Sequence, residues 1–423
     1  QTEHTIMEIY DVCIAGGGTA GAIAAIQSGR LGAKTILIEM TGQLGGTMTS
    51  GGVSAPAYFW SPLRQIIAGI GWEIATKCQQ LGGASIPDFT VRNPRRPSYH
   101  LGVNAPLWAI LCEEACIQAG VHIHYHEVFF KVAKHDSEFW HVETVGKNCH
   151  HSFLTREIVD CTGDANIVAM LGLPRTRDEI RQPGTLEFRI GGIDPNTLDA
   201  DAVQKAYDQA MADGTLKHGD FCYANRPFID YIKSGGGNLQ HVFGADSTTS
   251  PLLTQANIDG HQGLLRMLRF LKTVPGCEGA KITYMADDCT ARDTWRIVGE
   301  TTVTYDDYMS ARHFPDAVAY TLYFIDVHND TGTYQEFLPP EKVPTLPLGC
   351  LIPKDAERIM VAGRILASDK LAHSALRVEA SCMAMGQAAG AAAAMGALRK
   401  MPSRRVPLAD LRQALRDHGA IVP

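Results

Sequence analysis

The chain has 423 residues, 45% of them hydrophobic, so it can bury a large core. Its 38 basic and 45 acidic residues leave a net charge of -7 without long runs of one sign, which argues against a nucleic-acid partner. Eleven cysteines without a CxxC pair favour a reduced compartment and exclude iron–sulfur spacing. With no visible secretory signal, we expect a cytoplasmic protein that acts on a small molecule, with neither nucleic-acid nor membrane partners. A homo-oligomer is compatible with this surface.

The first predicted unit is a βαβ start in "EIYDVCIAGGGTAGAIAAIQSGRLGAKTILIEM". Ile9, Val12 and Ile14 indicate a short buried strand, an Ala-rich helix follows, and residues 34–39 indicate a second strand. The glycine pattern between strand and helix is the dinucleotide-binding fingerprint. The unit therefore predicts a Rossmann-like nucleotide-binding fold.

Each element of that fingerprint has a physical role. Gly16 permits the tight turn, Gly18 lets the backbone approach a pyrophosphate, and Gly21 lets helix and strand pack closely. The helix N-terminus attracts phosphate charge. Glu39 ends the second strand, where its carboxylate can accept a hydrogen bond from a ribose hydroxyl.

The next segments continue this domain. A glycine-rich loop at residues 42–54 must come close to something flat or bulky. Asn104 with Pro106 predicts a capped helix that ends at Gly120. Segments 121–133, 138–145 and 152–159 then alternate as strands of a β-meander.

Three histidines in "VHIHYHEV" are predicted to share one face of a meander strand. His122, His124 and His126 alternate, which fits either a metal site or a polar face opposite Ile123 and Tyr125. We favour the polar face and predict no metal.

The middle of the chain has a different composition and pattern. Residues 176–345 contain mixed polar segments, a predicted helix over residues 254–273 and a loop around Gly235, without a second GxGxxG. A buried strand at residues 359–362 then restores the first pattern. We predict a discontinuous cofactor domain, residues 1–59, 101–175 and 346–423, and an inserted α+β substrate domain, residues 60–100 and 176–345.

The C-terminal stretch "HSALRVEASCMAMGQAAGAAAAMGAL" has the small-xxx-small spacing of membrane helix pairs at Gly386 and Gly390. It is mostly Ala, Gly, Ser and Met with a central Gln387, so its insertion into a bilayer would release little free energy. We therefore expect a helix, starting near Arg377 or Val378, that packs closely inside the protein.

Six segments together resemble the FAD-dependent oxidoreductase family whose flavin domain is related to fumarate reductases and tRNA uridine-modifying flavoproteins. They are "DVCIAGGGTAGAIAAIQSGRLGAKTILIE", "GQLGGTMTSGGV", "IVDCTGDANIVAMLG", "ARDTWRIVGE", "FPDAVAYTLYFIDVHN" and "IMVAGRILASDKLAHSALRVEASCMAMGQAAGAAAAM". The resemblance implies an FAD cofactor and an oxidoreductase activity. Residues 60–100 and 176–280 lie outside the resemblance.

The resemblance also implies a set of cofactor contacts. The residues so assigned are Gly16, Gly18, Gly21, Glu39, Met40, Gly45, Gly46, Thr47, Val128, Thr162, Gly163, Asp164, Gly363, Arg364, Arg377 and Val378. Together they would contact the pyrophosphate, the ribose, the ribityl chain and the flavin ring, and Val128 would contact adenine. In fumarate reductase relatives an acidic residue commonly follows the glycine equivalent to Gly363, whereas this chain has Arg364.

Five residues are candidates for the chemistry. His373 precedes the flavin-facing helix and can act as an acid, a base or only a structural group. Arg292 and Arg296 can clamp a carboxylate or form structural ion pairs. Asp326 and His328 alternate on a predicted strand and would share one face as an oriented base.

We expect an FAD enzyme that takes hydride from a small organic substrate and passes electrons to an acceptor that the sequence does not identify. Three alternatives stay open: reduction of an activated double bond, an NAD(P)H-driven monooxygenase, and a flavin-binding protein without turnover. A colourless nicotinamide dehydrogenase is a fourth.

Overall fold

The computed structural model describes residues 7–89, 100–222 and 226–423. The ends of two predicted domain segments, residues 1–6 and 90–99, lie outside these ranges. The strands are β1 Glu8–Ala15, β2 Thr35–Glu39, β3 Ala84–Ser85, β4 Gly102–Val103, β5 His122–Tyr125, β6 Glu127–Lys134, β7 Trp140–Gly146, β8 Cys149–Asp160, β9 Arg175–Thr176, β10 Phe188–Gly191, β11 Gly236–Gly237, β12 Lys281–Met285, β13 Arg296–Ile297, β14 Ala317–Tyr320, β15 Ile325–Asn329, β16 Gly332–Glu336, β17 Thr345–Pro347 and β18 Ile359–Val361. The helices are α1 Thr19–Arg30, α2 Ile70–Gln80, α3 Ala105–Gln118, α4 Asn166–Met170, α5 Ala200–Ala212, α6 Phe228–Ser234, α7 Ser250–Leu271, α8 Tyr305–Ser310, α9 Lys370–Leu376, α10 Glu379–Leu398 and α11 Leu408–Asp417.

A mixed sheet forms the centre of the fold, with the strand order β5-β2-β1-β8-β7-β6. The pairs β1 with β2, β1 with β8, β2 with β5 and β18 with β8 are parallel. Strands β6, β7 and β8 form an antiparallel meander. The predicted α/β class, a Rossmann-like domain with a β-meander and strands from both chain ends, is confirmed.

One predicted strand is wrong. Segment 121–133 divides into β5 and β6 at His126, whose φ of 60° lies in the left-handed region and interrupts the strand. His126 therefore does not share a strand face with His122 and His124. The capped helix is confirmed as α3, where the Asn104 side chain accepts a hydrogen bond from the Leu107 amide at 2.9 Å.

Helix α10 is the stretch that resembled a membrane anchor. It is buried along most of its length and packs against α1. Its Gln387 is hydrogen-bonded to the Ile70 amide at 3.2 Å and to Gln27 Oε1 at 3.0 Å, so its polar group is satisfied inside the protein. No helix in the described ranges is long and apolar enough to span a bilayer.

A second buried core lies apart from the first. It is built from β10, α5, α6 and α7, and includes Leu186, Phe228, Leu264 and Phe270. The α7 helix confirms the one predicted over residues 254–273, and the segment predicted as a loop around Gly235 contains the short strand β11. Buried residues between Ile297 and Leu351 belong instead to the first core. The boundaries drawn between the two domains stay a prediction.

Candidate active site

Four parallel strands end at the same edge of the central sheet, namely β1, β2, β8 and β18. In open α/β sheets ligands bind outside the carboxyl ends of the strands. The segments that follow these four ends contain Gly16, Gly18, Gly21, Met40, Thr162, Gly163, Asp164, Gly363 and Arg364. The fold thus brings the predicted cofactor residues from both chain ends to one edge.

The three glycines of the fingerprint are needed for different reasons. A Cβ on Gly16, which has a φ of 93°, would lie 2.8 Å from the Cys161 carbonyl oxygen, and a Cβ on Gly21 would lie 2.9 Å from the Gly16 carbonyl carbon. A Cβ on Gly18 would meet only the Gly46 Cα, at 3.9 Å. Packing within the protein therefore explains Gly16 and Gly21 and leaves Gly18 unexplained. The open space at Gly18 fits the close approach of a pyrophosphate.

Helix α1 begins at this open position. Its N-cap, Gly18, makes no side-chain capping bond, and the first turn contains no acidic residue. The unpaired amides and the positive end of the helix dipole therefore suit an anionic phosphate.

Glu39 lies at the edge beside this loop and is buried. Its Oε2 accepts a hydrogen bond from the Gly17 amide at 2.6 Å, and its Oε1 accepts one from the Thr41 amide at 2.7 Å. Two backbone donors fix the carboxylate, and each oxygen keeps a lone pair that a ribose hydroxyl can use. Met40 and Val128 nearby are 57% and 46% exposed, which suits an apolar contact with adenine.

Other predicted cofactor residues lie in the loop after β2 and in the segments after β8 and β18. The Gly45 amide donates to the Gly17 carbonyl at 2.9 Å, so the loop that contains Gly45, Gly46 and Thr47 is joined to the fingerprint. Arg364 lies over Gly163 and its Nη2 is 3.2 Å from Asp164 Oδ1. Arg364 thus forms an ion pair with an acid from the segment that follows β8.

Two arginine atoms in this region point to a missing acceptor. Arg364 Nε and Arg377 Nε are buried and have no hydrogen-bond partner among the described residues. Buried donors normally bond to something. Together with the open space at Gly18, these donors show that the residues present fit FAD, which carries phosphate, hydroxyl and carbonyl acceptors.

We expect Gly18→Ala to fold normally and to bind FAD about tenfold or more weakly, because the new methyl has room in the protein and occupies the phosphate approach. The measurement is a fluorescence titration of FAD-free protein with FAD, beside its melting temperature. Gly102→Ala, where a Cβ would meet nothing within 4 Å, is the matched control. Unchanged FAD affinity in the Gly18 variant would contradict the assignment.

A chain of three buried side chains lies beside the N-terminus of α10. His328 Nε2 is 3.1 Å from Asp326 Oδ2, and His328 Nδ1 is 2.8 Å from His241 Nε2. Arg377, which ends α9, donates to the Asp326 carbonyl at 3.3 Å and to Gln182 Oε1 at 3.4 Å. The predicted pairing of Asp326 and His328 on one strand face is therefore present in β15, next to a predicted flavin contact.

The ionisation of these groups fixes the direction of their hydrogen bonds. Burial alone would raise the pKa of Asp326, but the hydrogen bonds from His328 and Gln335 and the charge of Arg377 lower it to about 2, so the carboxylate is ionised. Burial, with the charge of Arg292 adding to it, lowers the pKa of His241 to about 3 and that of His328 to about 4, so both are neutral at pH 7. A carboxylate only accepts, so His328 donates from Nε2 and accepts at Nδ1 from His241 Nε2. His241 Nδ1 is then left with a free lone pair.

We expect the stability of the wild type to fall more steeply with acidity than that of His241→Gln. The pKa of His241 is 6.5 in the unfolded chain and about 3 in the folded protein. Between these two values the unfolded chain binds the proton more readily, so a fall in pH favours unfolding. Between pH 7 and pH 5 the wild type should lose about 2 kcal/mol more of its free energy of unfolding than the variant. Urea unfolding at both pH values measures this, and equal losses would show that His241 is not held neutral.

The other three catalytic candidates lie in more structural settings. Arg292 is buried and donates to the Pro183 carbonyl at 2.6 Å and to Asn238 Oδ1 at 2.9 Å. Arg296 donates to the Ser368 carbonyl and pairs with Asp178 at 2.7 Å. His373 lies inside α9, fully buried, and its Nε2 donates to the Arg364 carbonyl at 2.7 Å. Burial places the pKa of His373 well below its ordinary value. Their roles in catalysis stay predictions.

Two residues of the site were not predicted from the sequence. His241 comes from a loop 87 residues before His328, and nothing in its local pattern marks it. Glu379 is the first residue of α10, and burial raises the pKa of its carboxyl to about 7. The sequence did offer a signal for Glu379, because it is the one charged residue of α10 and stands at the start of that helix.

Comparison with known protein families gives a match over nearly the whole chain. The family model described as FAD dependent oxidoreductase matches residues 11–415. The mitochondrial dihydrolipoyl dehydrogenase of Schizosaccharomyces pombe is 55% identical over 38 residues, which are 9% of this chain and only 7% of that enzyme.

Two solved structures are similar over most of this chain. A geranylgeranyl bacteriochlorophyll reductase-like protein from Thermoplasma acidophilum is 11% identical with a TM-score of 0.45. The p-nitrophenol 4-monooxygenase from Pseudomonas putida is 13% identical with a TM-score of 0.44. Each match covers 97% of this chain and 84% of the other. At TM-scores this low, neither likeness bears on the reaction.

Proposed function

Because this chain belongs to the family of FAD-dependent oxidoreductases, we propose that it oxidises a small organic substrate with a hydroxyl or amine group on the reacting carbon. The observation that carries the proposal is the chain Asp326–His328–His241 with its free lone pair at His241 Nδ1. A closer relation to fumarate reductases and tRNA uridine-modifying flavoproteins stays a prediction from the sequence. The free cysteines support the proposal that the enzyme works in a reduced compartment.

When bound, FAD supplies the acceptor for a hydride and its two electrons. Its pyrophosphate would be held at Gly18 and the N-terminus of α1, and its ribose at Glu39. The pyrimidine edge of the flavin would meet the amides at the start of α10, where Val378 is the N-cap without a side-chain capping bond. His373 would act as a positioning residue that holds the Arg364 carbonyl.

The proton is handled by the histidines. Oxidation of an alcohol or amine releases the O–H or N–H proton as the C–H bond breaks and the C=O or C=N bond forms. In our proposal His241 Nδ1 accepts this proton. The imidazolium of His241 then donates from its Nε2 to His328 Nδ1. Asp326 fixes the orientation of His328 by accepting a hydrogen bond from His328 Nε2. Since both histidines are neutral at pH 7, they suit proton removal better than proton delivery.

The runner-up is reduction of an activated double bond, which needs a proton donor. Glu379 favours it, because a carboxyl with a pKa of about 7 is partly protonated at neutral pH. An aromatic group is formed by the rings of Tyr323, His100 and Tyr58, which contact one another. Tyr323 interacts electrostatically with Glu379 and Asp326, and His100 interacts with Asp326. A substrate beside this aromatic group would lie near both the proposed base and the carboxyl of Glu379.

Anaerobic mixing separates the candidates. We expect purified protein to be yellow, and expect a hydroxyl- or amine-bearing substrate from a metabolite panel to bleach the oxidised flavin without NAD(P)H. Bleaching by NADPH alone, followed by reoxidation with an unsaturated acceptor, supports the reductase. Bleaching by NADPH alone and reoxidation only by oxygen with an aromatic substrate supports the monooxygenase.

A further inference from the structure

Three potential metal ligands converge at a place that the proposed reaction does not use. His124 Nδ1 lies 2.9 Å from Glu127 Oε1, and His151 Nδ1 lies 3.0 Å from the same oxygen. One ligand atom from each of the three residues lies within 4.8 Å of the others. His124 belongs to β5, Glu127 to β6 and His151 to β8.

Glu127 is held in place for this role. Its side chain is only 6% exposed, and its Oε2 accepts a hydrogen bond from the Thr144 hydroxyl at 2.6 Å. The other oxygen, Oε1, faces both imidazoles, and His151 Nδ1 also lies 3.1 Å from Oε2. A carboxylate fixed by a neighbouring hydroxyl is the arrangement in which outer partners orient metal ligands.

The spacing suits a small divalent ion. In a tetrahedral site with metal–ligand bonds of about 2.0–2.2 Å, neighbouring ligand atoms lie about 3.4 Å apart. Both nitrogen–oxygen distances are already within about half an ångström of that value. The two imidazole nitrogens lie within 4.8 Å of each other, and His151 can adjust this distance because its side chain is 45% exposed.

We propose that His124, Glu127 and His151 bind a divalent transition-metal ion of the zinc type, with water as the fourth ligand. Two imidazoles and one carboxylate are ligands that zinc accepts together. The ion would join strands at opposite ends of the sheet order, because β5 and β6 are its two outermost strands. The ion would stabilise the contact between the meander and the nucleotide-binding strands, at a place beside Val128.

The test uses the full chain with FAD bound, treated with a chelator and desalted. Titration with Zn²⁺ alone, followed by calorimetry at pH 7.5, should show one equivalent bound with a Kd of about micromolar or tighter, and a higher melting temperature. In His151→Ala this binding should weaken by at least about tenfold. Because His151 is half exposed, its replacement leaves the core intact, and the flavin spectrum checks this.

His150→Ala is the matched control. His150 is the preceding residue on β8, is 55% exposed, and pairs with Glu143 on the opposite face of the meander. It should bind Zn²⁺ like the wild type. Wild-type protein that binds no equivalent, or His151→Ala and Glu127→Gln that bind as tightly as the wild type, would overturn the proposal and leave the cluster as a hydrogen-bonded network.

Discussion

Asp326→Asn should slow reduction of the flavin by its substrate by about 100- to 10,000-fold, the range of a lost general base. The reason is the orientation of the new amide. Gln335 Nε2 donates to Asp326 Oδ1 at 3.2 Å, so the asparagine keeps its oxygen there and turns its NH₂ towards His328. His328 then accepts at Nε2 and donates from Nδ1, His241 must accept at Nε2, and its Nδ1 becomes protonated.

Anaerobic stopped-flow mixing with a substrate identified by the metabolite screen measures this rate. A base role predicts a fall in the limiting rate of reduction with little change in FAD affinity. Gln335→Ala is the control, because Gln335 is exposed and lies outside the proton path, and it should stay within a few-fold of the wild type. If Asp326→Asn reduces flavin at the wild-type rate, the histidine chain is not the base.

Replacing Gly386 and Gly390 together with alanine should destabilise the enzyme by about 2–6 kcal/mol, because overpacking costs about 1–3 kcal/mol at each site. A Cβ on Gly386 would lie 2.9 Å from the Ala20 carbonyl carbon, and one on Gly390 would lie 2.8 Å from the Ala24 Cα. Both contacts are with the backbone of α1, which cannot move aside as a side chain can. The two helices must therefore separate.

Separation of these helices would also disturb the cofactor, because Gly18 is the N-cap of α1 and the predicted flavin contact Val378 is the N-cap of α10. We expect a melting temperature several degrees lower and partial loss of FAD on gel filtration. Gly102→Ala is again the control. A double variant that melts with the wild type would show that close packing against α1 is not what these glycines provide.

The elements that place the predicted cofactor residues were largely predictable because their signals are local. The fingerprint, Glu39 and the strand predicted at residues 359–362 are each read from neighbouring residues, and the carboxyl ends of β1, β2 and β18 meet at one edge of the sheet. The side-by-side placement of Asp326 and His328 was predictable for the same reason, since alternate residues of a strand share a face. The division of segment 121–133 was missed because a left-handed turn at a histidine has no local signal comparable to glycine.

The sequence by itself determined the class of cofactor fold, the glycines that the βαβ turn requires, and the paired carboxylate and imidazole of β15. Those features depend on backbone geometry and on spacing within one element. Only the tertiary structure decided that His241 is hydrogen-bonded to His328, that His373 is buried against the Arg364 carbonyl, and that Gly386 and Gly390 face α1. These contacts join residues that are distant in the chain, so they depend on how whole elements pack and on which groups that packing removes from water.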